Sequence, residues 1–392
     1  MIKLRCPVIV LFILSSLIIF YSCNEDSSET SIISQSDFKE KEADLHKLVK
    51  EEQYIRLDNS IPLRFVSKIV GAGDKLLIED QDILYLYSKE GKFIRQIGSK
   101  GNGPEEYLRI ADYCFDNESG KIFMLSPKNK LMVFNPEGEF IESFIPDEET
   151  SFNRIVFKDN MLYLFDTFSF GTLEYNWIII DTKGKRLKVK YNYIPDYDSQ
   201  MSVGYDPVFE NEDLIYYWNN LNDTIYELNG MNSKAAFILA REEGRINTDD
   251  LKDLMSYSQL EKWQPYSIQA SGDYLILTYN IFWEKLRQAS VWYDTEANSP
   301  ISVNIVERST KNVGIDNLLE GNINFYARNK IELEGKEYLV GWDPAMDFKQ
   351  KAMDYYSNNG DSDPDYINSK QYKVAEKLNV EDNPVIILVS IK

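Results

Sequence analysis

An all-β fold, a six-bladed β-propeller with short helical insertions, is predicted by three observations. Tyr87-Ser88-Lys89-Glu90-Gly91-Lys92-Phe93-Ile94 and Phe134-Asn135-Pro136-Glu137-Gly138-Glu139-Phe140-Ile141 are near copies of one hairpin, each a strand, a tight glycine turn and a second strand beginning Phe-Ile. The turn glycines recur at 91, 138, 184 and 230, with spacings of 47, 46 and 46 residues. After residue 50 the chain consists of short runs of Val, Ile, Leu, Phe and Tyr broken by Gly, Asn and Asp, the pattern of strands joined by turns. A period between about 40 and 50 residues marks a unit of four strands, repeated around a central channel.

The blades follow in order. The first has strands expected at 65–70, 75–79, 83–87 and 93–97, and the second at 110–116, 121–125, 130–134 and 140–145. The third runs from about Asn153 to Asn192, the fourth from about Met201 to Leu239 and the fifth from about Gln264 to Val306. A polar, helix-patterned insertion from Glu242 to about Lys262 delays the fifth turn, Tyr293-Asp294-Thr295-Glu296-Ala297. The sixth begins near Asn324, continues through Glu337–Trp342, is interrupted by helix-like segments at 344–357 and 366–378, and resumes at Val385–Ile391. It lacks a strand, which Tyr54–Leu57 can supply from the N-terminal side, closing the ring and removing an exposed edge. Seven blades is the alternative count, through the ambiguous stretch Glu307–Gly321.

Three regions are expected: 1–22 as a signal peptide, 23–52 as an acidic tether and spacer, and 53–392 as the propeller. Lys3 and Arg5 precede a thirteen-residue, predominantly apolar run, Val8–Phe20, long enough for a signal core and short of the ~20 residues of a membrane-spanning helix. Within the spacer, a short helix is expected around Phe38 to Val49. The 392 residues carry 63 Asp+Glu against 43 Lys+Arg, a formal net charge of −20, which argues against nucleic acid as a partner. This acidity reads as solubility, with a leaning toward cations or neutral sugars. Of 3 cysteines, Cys6 lies in the signal and Cys114 in the second blade, so a disulfide within the mature domain is not expected.

Phe20-Tyr21-Ser22-Cys23 resembles the lipobox of bacterial lipoproteins, which implies lipid attachment at Cys23; ordinary signal cleavage near Ser22 is the alternative. The following Asn24-Glu25-Asp26-Ser27-Ser28-Glu29 resembles the acidic tether of surface-displayed gut-bacterial lipoproteins. Gly101-Asn102-Gly103-Pro104-Glu105-Glu106-Tyr107, with Asp382-Asn383-Pro384-Val385 and the Glu-Gly-Lys-Phe-Ile hairpin, resembles the six-bladed β-propeller lipoproteins of gut bacteria, relatives of the NHL-type propellers. The resemblance covers the whole mature chain and implies a fold and an outer-membrane, cell-surface address, with a periplasmic position as the alternative. It implies no settled activity and no catalytic residue.

The single histidine, His46, lies in the spacer, so no Ser-His-Asp triad, Cys-His pair or His-rich zinc site is expected in the folded domain. No cofactor, metal or catalytic residue is assigned. Gly101-Asn102-Gly103 lacks the Lys-Ser/Thr and the helix of a P-loop and reads as a blade-to-blade crossover, with Tyr107 and Arg109 near the channel mouth. Asp361-Ser362-Asp363-Pro364-Asp365 alternates carboxylates as a calcium loop does, but Tyr366 stands where the turn glycine belongs, and Asp365 as a helix cap is the preferred reading. Among 26 Tyr, 20 Phe and 6 Trp, those at strand starts, Tyr205, Trp263 and Tyr266, join Tyr107, Arg109 and Arg154 as candidate ligand contacts.

The function expected is a non-catalytic envelope lipoprotein, membrane-bound through its lipid, that holds a glycan, a peptide or a partner protein on the propeller face. The alternatives are a carboxylate-based glycoside hydrolase or lyase and an accessory subunit of an outer-membrane complex.

Overall fold

The strands at the middle of each blade are apolar without alternation. Ile122-Phe123-Met124-Leu125 and Ile178-Ile179-Ile180 are fully buried, because a central strand is covered on both faces by neighbouring blades. In the computed structural model, which describes residues 30–147, 151–167, 174–191, 207–218, 222–242, 244, 261–282, 286–307, 316–321 and 323–392, these strands build six sheets.

The four strands of each blade pair antiparallel, and the innermost lines the central axis. The first comprises Val66–Ala72, Lys75–Asp80, Ile83–Ser88 and Phe93–Ile97, and the second Asp112–Phe115, Ile122–Ser126, Lys130–Phe134 and Phe140–Phe144. The third comprises Arg154–Lys158, Met161–Phe165, Tyr175–Asp181 and Arg186–Tyr191. Val208–Asn211, Leu214–Trp218, Thr224–Asn229 and Asn232–Leu239 form the fourth, and Lys262–Ser271, Tyr274–Phe282, Arg287–Asp294 and Ser299–Glu307 the fifth. The sixth takes Asn329–Leu333, Lys336–Asp343 and Val385–Ile391 from the C-terminal part and Val49–Arg56 from the N-terminal part. The fold is therefore the six-bladed propeller that the repeat predicts.

The repeated turn is real. Gly91, Gly138 and Gly184 all take φ between +80° and +85°, and a Cβ on Gly91 would stand 2.0 Å from the Arg56 carbonyl oxygen of the closing strand. Positive φ and close approach both require glycine there.

Ring closure is antiparallel, Val49 to Arg56 pairing with Ile391 to Val385, so the N-terminal strand occupies the outer edge of the sixth blade. Asn383 locks the join: its side chain accepts from Leu63 N at 2.8 Å and donates to the carbonyls of Asp58 and Ile61, each at 2.7 Å. The Asp382-Asn383-Pro384 motif is thus a clasp between the two ends of the ring.

Four expectations are corrected. The inner strand of the sixth blade begins at Asn329 rather than near Asn324, which instead belongs to a separate hairpin of Asp316–Leu319 and Ile323–Phe325. That hairpin accounts for part of the stretch from which a seventh blade was drawn. The segment read as a spacer is packed on the ring: Ser31–Ile33 adds a parallel fifth strand to the fourth blade, and Lys41 bridges Val303. Its expected helix, Phe38 to Val49, is reduced to one short 3-10 turn, Leu45–Leu48, with Leu45 buried, and another such turn, Gln35–Asp37, precedes that range. Finally, Ser369 rather than Asp365 caps the helix Lys370–Glu376, its hydroxyl accepting from Tyr372 N at 3.0 Å, while Asp365 lies inside a 3-10 turn.

The helix Ala345–Asn359 and that second helix are inserted between two strands of the sixth blade. Phe348, Ala352, Tyr366 and Ala375 pack with Leu318, Leu319 and Phe325 of the extra hairpin, with Ile276 and Trp292 of the fifth blade, and with Val385, Ile387 and Val389 of the sixth. The insertions therefore fill the space between these two blades. The insertion expected from 242 to 262 falls largely outside the described residues.

Candidate functional site

Six inner strands run in the same direction around the axis, and their side chains alternate between two environments. Ile69, Tyr113, Ile155, Phe209, Ile268 and Ile331 point between blades and are buried in apolar clusters. Their neighbours Lys68, Arg154, Lys158, Glu210, Gln269, Arg328 and Lys330 line a central cavity of about 470 Å³. That volume is in the range of small-molecule sites, about 300–1,000 Å³.

The cavity is polarised along its axis. The chain enters each inner strand from the crossover face, and Lys68, Arg154 and Arg328 stand near those starts. At the other end lie the turns to the second strands, which bring Glu118, Asp159, Glu212 and Asp213, with Glu332 near the end of its inner strand. Turn chemistry accounts for part of that acidity, since Asp159 and Asn160 both adopt positive φ, 50° and 58°, as a tight hairpin turn demands.

Most of the cations have partners. Asp112, buried, pairs with Lys68 and with Arg154, whose Nε is 3.6 Å away, and accepts from Ile155 N at 2.8 Å. Lys330 Nζ pairs with Glu337 at 2.8 Å and Lys158 with Asp213 at 3.6 Å. Glu210 projects into the lumen, enclosed by the ring yet open to the channel. Enclosure pushes its carboxyl up, opposed by Lys330, Lys158, Lys68 and Arg154.

Arg328 differs from the other four. Its guanidinium lies over the Trp342 indole, 4.4 Å from the ring centroid, and near Tyr326 at 5.6 Å. No carboxylate lies within ion-pair distance among the described residues, and its Nε is buried without a hydrogen-bond partner. Burial pushes its pKa down, resisted by Tyr326, Asp343 and Tyr266 at longer range. Gln269 donates through Nε2 to the Ala327 carbonyl at 2.9 Å, one residue from Arg328, and leaves a buried Oε1 without a partner. An unsatisfied buried polar group costs about 1–3 kcal/mol, more when charged.

Of the six residues expected to contact a ligand, the structure brings Arg154 into the channel wall. Tyr107 goes elsewhere: it is 1% exposed, packs edge-on to Phe134 between the first two blades, and donates to the Ile97 carbonyl at 3.1 Å. The Gly101–Tyr107 motif is accordingly a crossover lock, in which Glu106 accepts from Gly103 N at 2.7 Å. Arg109 sits on the crossover rim, its side chain 74% exposed and 3.9 Å from Asp82. Trp263 is buried against Phe38 and Tyr279 and donates to Glu261 at 2.8 Å. Tyr266 packs against the same cluster, half-buried, and Tyr205 and Cys23 lie outside the described residues. Cys114 is buried beside the cavity, and burial raises its thiol far above the ordinary range, against a nucleophilic role. His46 meets Glu52 at 3.1 Å on the outside of the ring.

Sequence reading missed Lys68, Lys158, Glu210, Gln269, Arg328 and Lys330. The signal was available in the alternation of the inner strands, where charged residues stand at positions that a buried strand would fill with Val or Ile.

Residues 30–390 match the family described as a domain of unknown function, DUF4934, and the chain belongs to that family. Among curated proteins no relative matches. The fold is similar to that of a putative exported protein, BF0058, of Bacteroides fragilis NCTC 9343, at 18% identity over 92% of this chain and 100% of that one, with a TM-score of 0.68. It is also similar to a member of the DUF4221 family from Bacteroides vulgatus ATCC 8482, at 10% identity over 88% and 97% of the two chains, with a TM-score of 0.51.

Proposed function

We propose that this chain is an exported, lipid-anchored envelope protein that binds a ligand without transforming it, in the central channel of its propeller. The observation that carries the reading is the channel itself: a lumen of ligand size, lined by charged side chains, inside a ring whose blades are otherwise held together by apolar packing. Charges at the centre of a fold weaken it unless they are paired or used. A rigid ring that carries polar groups on its inner strands suits recognition, because the groups are placed by the sheets rather than by mobile loops. A glycan or a peptide is the ligand class supported. The accessory-subunit reading gains little from the helix Ala345–Asn359, which turns Ala345, Phe348 and Ala352 inward and exposes Met346 as its one fully exposed large apolar side chain.

Export and anchoring rest on the apolar N-terminal run and on Ser22-Cys23. The similar Bacteroides fragilis protein being called exported is consistent with them. With Cys23→Ala the chain is expected to move from the membrane fraction to the soluble fraction of the cell envelope; an unchanged distribution would refute lipid attachment at that residue.

Binding is tested by thermal shift of the detergent-solubilised full chain against acidic and neutral glycans and peptides. A ligand at a hundred times its Kd stabilises by about 2.7 kcal/mol, a readable shift. A shift that a bulky side chain at Glu210 abolishes places the ligand in the channel. A shift that survives that substitution would move the site to the outer surface.

A further inference from the structure

We propose that the channel recognises an acidic saccharide of the uronic-acid type, its carboxylate held by Arg328 and its hydroxyls by Gln269 and Glu210. This rests on the channel reading above and names the ligand class.

Among the described residues Arg328 is the lumen cation with no carboxylate in contact, whereas Lys330 has Glu337, Lys158 has Asp213, and Lys68 and Arg154 share Asp112. A guanidinium is a planar fork that matches a carboxylate through two parallel hydrogen bonds. Trp342 beneath it fixes the plane of that fork.

The rest of the ligand is read from the acceptors. Among the described residues Gln269, anchored to Ala327 next to Arg328, has an Oε1 without a donor, and Glu210 presents a carboxylate to the lumen with no cation in ion-pair contact. An ammonium could in principle meet Glu210. The charges acting most strongly on that carboxylate are the cations Lys330, Lys158, Lys68 and Arg154, so an ammonium placed there meets like charges beside it, with the carboxylates Glu118, Asp159 and Glu212 gathered at the other end of the cavity. Neutral hydroxyl donors suffer no such repulsion. A carboxylate accompanied by several hydroxyls is an acidic sugar, and the zwitterion of a free amino acid fits less well.

The test is calorimetric titration of the detergent-solubilised full chain with sodium galacturonate and glucuronate. Galactose, glucose, acetate and a tripeptide with a free C-terminal carboxylate are run alongside at constant ionic strength. A uronate is expected to bind at least about tenfold more tightly than its neutral sugar and than acetate. Arg328→Gln is expected to weaken it about 10–100-fold, the range of a charge-assisted hydrogen bond. Arg328→Gln should melt within a few degrees of the parent chain, because the loss of stacking on Trp342 is offset by removal of a buried charge that has no carboxylate in contact, and this separates lost binding from lost folding. Equal binding of neutral sugars, tighter binding of the tripeptide, or indifference to Arg328→Gln would overturn the inference. If any of those ligands is then lost in Glu210→Trp, which fills the lumen, the channel reading survives. Binding of none of the panel would overturn both.

Discussion

The two sides of one inner strand live in different solvents. Along Asn329–Leu333, Ile331 is 5% exposed among Ile69, Leu76 and Leu388, while the adjacent Lys330 faces the lumen and pairs with Glu337. The inter-blade side is a packed apolar interior, where shape and volume decide stability. The lumen side is a wall of charges that pair in part, and there the fold gains little. The ring is therefore stable because of one set of alternate residues and selective because of the other, and substitutions on the two sides should behave differently.

The sharpest way to break this comparison is to truncate neighbours. Ile331→Ala is expected to destabilise by about 2–5 kcal/mol, as a buried large-to-small change does. Lys330→Met should stay within about 1 kcal/mol, because the Glu337 it abandons remains solvated. Chemical denaturation of the full chain with both variants gives the answer. Comparable losses would show that the lumen side also holds the ring together.

A smaller effect tests the second strand of the first blade. Burial raises the Glu79 carboxyl from 4.5 to about 7, with Asp112 and Asp82 adding to it and Lys68 opposing. Since the folded pKa lies above the unfolded one, the folded state binds more protons between about pH 4.5 and 7. Stability should fall as pH rises through that window and level off above it. The change is about 1–3 kcal/mol, reduced from the full linkage value because the carboxyl is only partly buried. In Glu79→Gln, urea midpoints at pH 5 and pH 8 should lie closer together than in the parent chain. An unchanged gap would assign the pH dependence to other groups.

Much of the architecture is legible in the sequence. The 46- to 47-residue spacing of turn glycines marked the blades, because a tight hairpin needs φ > 0 at a fixed place in each repeat. The donated N-terminal strand followed from counting strands in the sixth blade, and the observed pairing of Val49–Arg56 with Val385–Ile391 agrees with it. The site was less legible. Tyr107 and Trp263 look like rim aromatics in sequence, yet their polar ends find Ile97 and Glu261, so that each can be buried. Arg328 follows directly on a hairpin that the repeat does not contain, and its position at the start of an inner strand was hidden by that interruption.

The sequence by itself determined the repeat, its period, the chemistry of its turns and the need for a closing strand, because these are local demands of backbone dihedrals and strand alternation. Only the tertiary structure decided which charged residues share the channel and which of them has a partner. Lys68, Arg154, Glu210 and Arg328 come from four blades and as many as 260 positions apart, and what each experiences is set by neighbours that the folded ring alone brings within reach.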